Sequence, residues 1–182
     1  MITKYRRTRK RFEIAQQARF LTFSCYHRLE LFGNDAIRDA FVDALAASRD
    51  RTKYELNGWV IMPEHVHLLI VPDLPEYPVS YVLKDLKGLF ANKVLQYWRE
   101  INAPVLWRIT DPQGKLHFGQ KGGGYDRNII SDDEFHEKLN YIHRNPVTRG
   151  LAPRPTDWVW SSAQWYAGQR DSDVLAIDPP NL

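Results

Sequence analysis

The stretch YELNGWVIMPEHVHLLIVP, residues 54–72, constrains the fold more than any other part of the chain. Two runs rich in aromatic and β-branched residues are separated only by Pro63 and Glu64, which reads as two strands of a hairpin joined by a tight turn. Side chains alternate across a strand, so His65 and His67 project from one surface and Val66 from the other. Whatever else the chain builds must cover both faces of this hairpin.

The flanking segments supply that cover. Upstream, RFLTFSCYHRLELF reads as a first strand followed by an extended arm, and GNDAIRDAFVDALAASRDR as an amphipathic helix. Its apolar side holds Ile37, Phe41, Val42 and Leu45, with Asn34 or Asp35 as the cap. Downstream, PVSYVLKDLKGLFANKVLQYWREI is a long helix with Val82, Leu83, Leu86, Phe90, Val94 and Leu95 inward. LHFGQKGGGYDRNII has strand-like ends around the glycines 122–124. SDDEFHEKLNYIHRNP opens on a capping box, Ser131 with Glu134, and is expected to stop at Asn145–Pro146. The order β-α-β-β-α-β plus one further helix is the α+β, ferredoxin-like split βαβ pattern. It predicts a sandwich of an antiparallel sheet with helices on one face, then an extra C-terminal helix and tail. We divide a single domain, 1–182, into a basic arm (1–18), a core (19–150) and a wrapping tail (151–182).

Charge and cysteine content narrow the partners. Residues 1–30 carry Lys4, Arg6, Arg7, Arg9, Lys10, Arg11, Arg19 and Arg28 against only Glu13 and Glu30. Such an arm suits a polyanion, because binding phosphates releases their counterions; a solvated tail is the other reading. Cys25 is the only cysteine, which rules out an internal disulfide framework and a cysteine-rich zinc site and suits a reducing cytoplasm. No apolar run approaches the ~18 residues of a membrane span.

The chemistry lies in two places. On a wheel of the helix 131–146, Phe135, Leu139 and Ile142 define the buried stripe. Tyr141 lies well off it, and Asn145 one turn later stacks roughly on the same face. A phenol and an amide placed so are free to serve a site, or are simply a surface aromatic and a polar helix end. His65 and His67 are likewise either surface polar residues or two ligands of a metal that needs a third. Position 69 is Leu and position 70 Ile, so neither a third alternating histidine nor an Asp-His continuation is present. A P-loop and a G-x-S-x-G elbow are absent too.

Four segments together, MPEHVHLL, GGGYDRNI, YIHRNPVTRGL and DWVWSSAQWY, resemble the REP-associated tyrosine transposases, single-tyrosine HUH nuclease-transposases of the insertion-sequence-200 type. The resemblance runs from about Arg19 to Trp165. It implies His65, His67 and Asn145 as ligands of Mg²⁺ or Mn²⁺, Tyr141 as the nucleophile on the extra helix, and hairpin-forming single-stranded DNA as substrate. A phenol is mostly protonated at neutral pH, and a metal that polarises the scissile phosphate makes it usable. Attack would leave a 5′-phosphotyrosine and a free 3′-hydroxyl. Arg6, Arg7, Arg9, Lys10 and Arg11 become candidates for the hairpin, Lys84 and Lys87 for backbone near the metal, and Arg127 for a phosphate. Trp158, Trp160 and Trp165 are expected to pack on the core. Gly119 stands where relatives often carry tryptophan. The expectation is a cytoplasmic, nucleoid-associated monomer or homodimer; the alternative is a hairpin-binding protein without turnover.

Overall fold

A computed structural model describes residues 14–120, 124–170 and 175–179; Arg6, Arg7, Arg9, Lys10 and Arg11 lie outside them. The chain runs β1 (Arg19–Ser24), α1 (Asp35–Thr52), β2 (Glu55–Ile61), β3 (His65–Val71), α2 (Val79–Glu100), a single turn α3 (Leu106–Ile109), β4 (Tyr125–Asn128), α4 (Asp132–Thr148) and a short α5 (Ala163–Tyr166). The four strands form one antiparallel sheet in the order β2-β3-β1-β4, the ferredoxin-like arrangement. The hairpin β2–β3 pairs Ile61 with Val66 and Trp59 with Leu68, with an irregularity between Leu56 and Gly58.

Strand alternation divides the core into two. Leu21, Phe23, Val66, Leu68 and Ile70 face α1 and α2 through Phe41, Leu45, Leu86 and Phe90. Phe20, Val60 and Leu69 face the other way, onto Phe135, Leu139 and Ile142 of α4. α1 and α2 thus cover one side and α4 the opposite side. Asn34 caps α1 by accepting from the Ala36 N–H at 2.8 Å. Ser131 caps α4 through the Glu134 N–H at 3.2 Å, while the Glu134 carboxylate reaches back to the N–H of Ile130, one residue earlier than a capping box requires.

The expected stop of the last helix at Asn145–Pro146 is corrected: α4 continues through Pro146 to Thr148. Proline costs the helix one N–H bond and crowds the preceding turn, but Asn145 and Pro146 are both buried, and that packing holds the last half-turn in helical form.

Two glycines set how closely the pieces approach. Gly124, at φ +71°, abuts the Thr22 carbonyl so tightly that a Cβ would stand 2.1 Å from its oxygen. On β2, a Cβ at Gly58 would meet Leu139 Cδ1 at 2.8 Å, so the absent side chain is what lets α4 settle on the sheet. Gly58→Val is expected to cost about 1–3 kcal/mol by overpacking, read as a lower denaturant midpoint; an unchanged midpoint would mean that α4 does not depend on this contact.

The tail follows the outer edge of β2. Ile61 N–H donates to the Trp160 carbonyl at 2.9 Å and Ser162 N–H to the Trp59 carbonyl at 3.0 Å. Farther along, Asp178 N–H donates to the Leu56 carbonyl and accepts the Leu56 N–H on its carboxylate at 2.8 Å. Trp158 donates its indole N–H to the Ile61 carbonyl. The Arg38 guanidinium sits 5.1 and 4.3 Å from the Trp158 and Trp160 rings, so these two tryptophans pack, as the sequence suggests.

Candidate functional site

The alternation of β3 turns His65 and His67 toward α4, on the side of Phe20 and Leu69. Their Nε2 atoms are 2.9 Å apart. The outer nitrogens are held: His67 Nδ1 lies 2.7 Å from Thr22 Oγ1, its cross-strand partner, and His65 Nδ1 lies 3.1 Å from Glu64 Oε1. A carboxylate only accepts, so His65 carries its proton on Nδ1 and turns the Nε2 lone pair toward His67. His67 is buried and stacks on Phe20, ring centroids 5.3 Å apart. Burial, then the neighbouring His65, push His67 down to about 3. Burial lowers His65 as well, against the opposing pull of Glu64. Both imidazoles are therefore neutral at neutral pH and able to donate a lone pair.

α4 supplies the remaining groups. Asn145 is buried, with its side-chain nitrogen 3.2 Å from His67 Nε2; a half-turn of the amide presents the oxygen instead. Tyr141 is half exposed and meets the His67 ring edge-on at 5.2 Å and the Phe20 ring at 5.9 Å. An advance of four residues rotates 40° around a helix, which carries Asn145 from the Tyr141 direction toward the buried stripe. The two are therefore not equally solvent-facing, yet both line the same cavity of about 520 Å³, with His65, Arg144, Thr148 and Arg149. Among the described residues no group of three or more His, Cys, Asp or Glu could hold a metal; the polar side chain that stands with the two imidazoles is the Asn145 amide. Cys25 is no rival nucleophile, since burial pushes its thiol up to about 12.

Other candidates lie elsewhere. Lys87 places its ammonium 4.6 Å from the Phe23 ring, on the α1–α2 side of the sheet, and Lys84 is one turn away on the same helix. The sheet separates both from the face that carries His65 and His67, which corrects their placement beside the metal. Arg127 pairs with Glu134 at 2.6 Å, and its neighbour Asp126 pairs with buried Arg19, because adjacent strand residues face opposite ways. The four residues that sequence reasoning passes over are Thr22, Glu64, Arg144 and Arg149. Thr22 follows from the strand register; Glu64 and Arg149 meet at 2.7 Å across 85 residues of chain.

Comparison with known proteins gives a consistent answer. A solved structure described as a REP-associated tyrosine transposase bound to a REP hairpin superposes with a TM-score of 0.68, covering 96% of this chain and 93% of that one at 19% identity. At that identity it shows the fold. The REP-associated tyrosine transposase of Escherichia coli (strain K12) is 25% identical over 118 residues, 65% of this chain and 59% of that protein's length. The family described as Transposase IS200 like matches residues 14–110, more than half of the chain and the whole of the histidine-bearing hairpin. The chain belongs to the IS200-like transposase family.

Proposed function

We propose that this transposase is a metal-dependent single-strand DNA endonuclease and strand transferase that acts through a 5′-phosphotyrosine on repeat-associated, REP-like hairpins. The observation that carries this reading is the meeting of two neutral imidazoles, 2.9 Å apart at Nε2, with a buried amide 3.2 Å from the inner one, His67, and a half-exposed phenol beside it; His65, Asn145 and Tyr141 line one cavity there. Two nitrogens bound to one ion at ~2.1 Å and a right angle stand about 3.0 Å apart, so the donor set fits a divalent cation held by His65, His67 and Asn145. The family resemblance points to Mg²⁺ or Mn²⁺; two imidazoles favour Mn²⁺ of the pair. Bound there, the ion would polarise a phosphate oxygen and offset charge on the leaving oxygen.

The chain's own residues perform the rest. Phe20 and His67 meet the Tyr141 ring edge-on, and the residue stays half exposed. The Tyr141 oxygen bonds to phosphorus, the bond from phosphorus to the 3′-oxygen breaks, and the phenol proton's equivalent ends on that 3′-hydroxyl. The link conserves the phosphoester, so a second DNA hydroxyl can displace the tyrosine and join strands without a nucleotide cofactor. Arg144 and Arg149 at the cavity wall supply positive charge for the DNA backbone. A DNA substrate would bring the protein to the nucleoid. Among the described residues no helix is long and apolar enough to cross a membrane.

The test is a hairpin-bearing oligonucleotide incubated with the protein and Mn²⁺, then run on a denaturing gel for a protein–DNA adduct. The basic arm has its own signature. Removing residues 1–11 is expected to weaken hairpin binding and to flatten its salt dependence by roughly 0.7–0.9 in slope for each phosphate contact given up. An unchanged slope in a filter-binding titration would remove the arm from the interface.

A further inference from the structure

We propose that Glu64 is a positioning residue for His65 and that Arg149 positions Glu64, a relay from the tyrosine helix to the histidine strand. This rests on the reading of His65 as a metal ligand. Glu64 Oε1 lies 3.1 Å from His65 Nδ1 and accepts from Arg149 Nη1 at 2.7 Å. Arg149 is the residue that ends α4, and its backbone N–H donates to the Asn145 carbonyl at 3.1 Å. Asn145 returns to His67 at 3.2 Å, and His67 to His65 at 2.9 Å. The contacts close a ring that passes through every proposed ligand.

The turn that carries Glu64 is itself fixed. Its carbonyl accepts from Cys25 N–H at 2.8 Å, the Pro63 carbonyl from Phe32 N–H at 2.9 Å, and the His65 carbonyl from Met62 N–H at 2.8 Å. A carboxylate on such a rigid turn dictates which imidazole nitrogen bears the proton, and a carboxylate behind a ligating histidine both orients the ring and raises its basicity. Stability is a poor alternative explanation. Arg149 is nearly half exposed, and exposed ion pairs contribute little. Glu64 Oε2 is buried with no hydrogen-bond partner among the described residues, a costly arrangement for a purely structural carboxylate.

The experiment uses the full chain and Mn²⁺ alone, with no DNA. Electron paramagnetic resonance counts free Mn²⁺, and ¹⁵N NMR of the metal-free protein reads the imidazole tautomers. The wild type is expected to show His65 protonated at Nδ1. Glu64→Ala should shift that population toward the Nε2–H form and weaken Mn²⁺ binding roughly 10–100-fold. Glu64→Gln, which keeps volume and one acceptor, should fall between and guards against a folding failure. Arg149→Ala should weaken Mn²⁺ binding by less than Glu64→Ala, and Arg149→Lys should restore most of the loss, since the contact uses one nitrogen. Wild-type tautomer and wild-type affinity in Glu64→Ala would overturn the proposal. Should the wild type bind no Mn²⁺, or His65→Ala match it, the ligand reading fails instead; the tautomer measurement then still decides whether Glu64 governs His65.

Discussion

Tyr141→Phe is expected to abolish the covalent protein–DNA adduct completely while leaving hairpin affinity within about twofold, because phenylalanine has no oxygen to bond to phosphorus. The substitution is mild for the fold. Tyr141 is half exposed, and its edge-on contacts with His67 and Phe20 are contacts of the ring, which phenylalanine keeps. Loss of the adduct therefore reports chemistry and not unfolding, and a melting curve run beside the gel would verify this. Two other outcomes carry meaning. Persistent strand cleavage with no adduct in Tyr141→Phe would show that water is the nucleophile. No adduct from the wild type under Mg²⁺ or Mn²⁺, with tight hairpin binding, would establish a binding protein without turnover.

His65→Ala is expected to lower cleavage roughly 1,000-fold, the several kcal/mol that a metal's charge supplies at 1.36 kcal/mol per decade. Hairpin binding should change little, because it draws on basic residues and not on this pair. Removing one of three donors leaves a weaker site, so raising Mn²⁺ should recover part of the rate. The side chain lines the cavity and keeps a little exposure, which makes truncation easier to absorb than at His67, more deeply buried against Phe20 and Tyr141. Equal losses of binding and cleavage, with no rescue by added metal, would sink its assignment as a ligand.

The element order could be read from the chain because each segment has one dominant period: alternation in 54–72, and a three-to-four spacing in the helices. Spacing also sets His65 beside His67 and Tyr141 near Asn145, but it leaves them as readily surface polar groups; their candidacy as ligands and nucleophile comes from the resemblance of the four motifs to a known family. Spacing says less about how deep a face lies. Tyr141 and Asn145 share a cavity, but one is half exposed and the other buried, a difference made by the 40° advance and by the sheet beneath. The end of α4 departs from the sequence expectation because Pro146 has a local preference that burial overrides. Lys84 and Lys87 lie away from the histidines; a helix wheel does not reveal which side of the sheet a helix covers. Thr22 and Arg149 are illegible for a more basic reason: they meet His67 and Glu64 across separate elements, and nothing in their own neighbourhoods marks them. Glu64 stands next to His65 in the chain, but only the folded turn shows its carboxylate against the imidazole.

The run of tail residues along β2 has a bearing on how copies of this protein can meet. A strand at the rim of a sheet offers a template to any extended segment nearby, and here Trp158, Trp160, Ser162 and Asp178 have already taken the outward N–H and C=O groups of Trp59, Ile61 and Leu56. Being tethered, this occupant competes at an effective concentration in the millimolar range, far above that of a second molecule in solution. Sheet-to-sheet joining across β2 is thus barred unless the tail first lets go. Clipping the chain after Gly150 would turn a sealed margin into an adhesive one, and self-association would be the symptom.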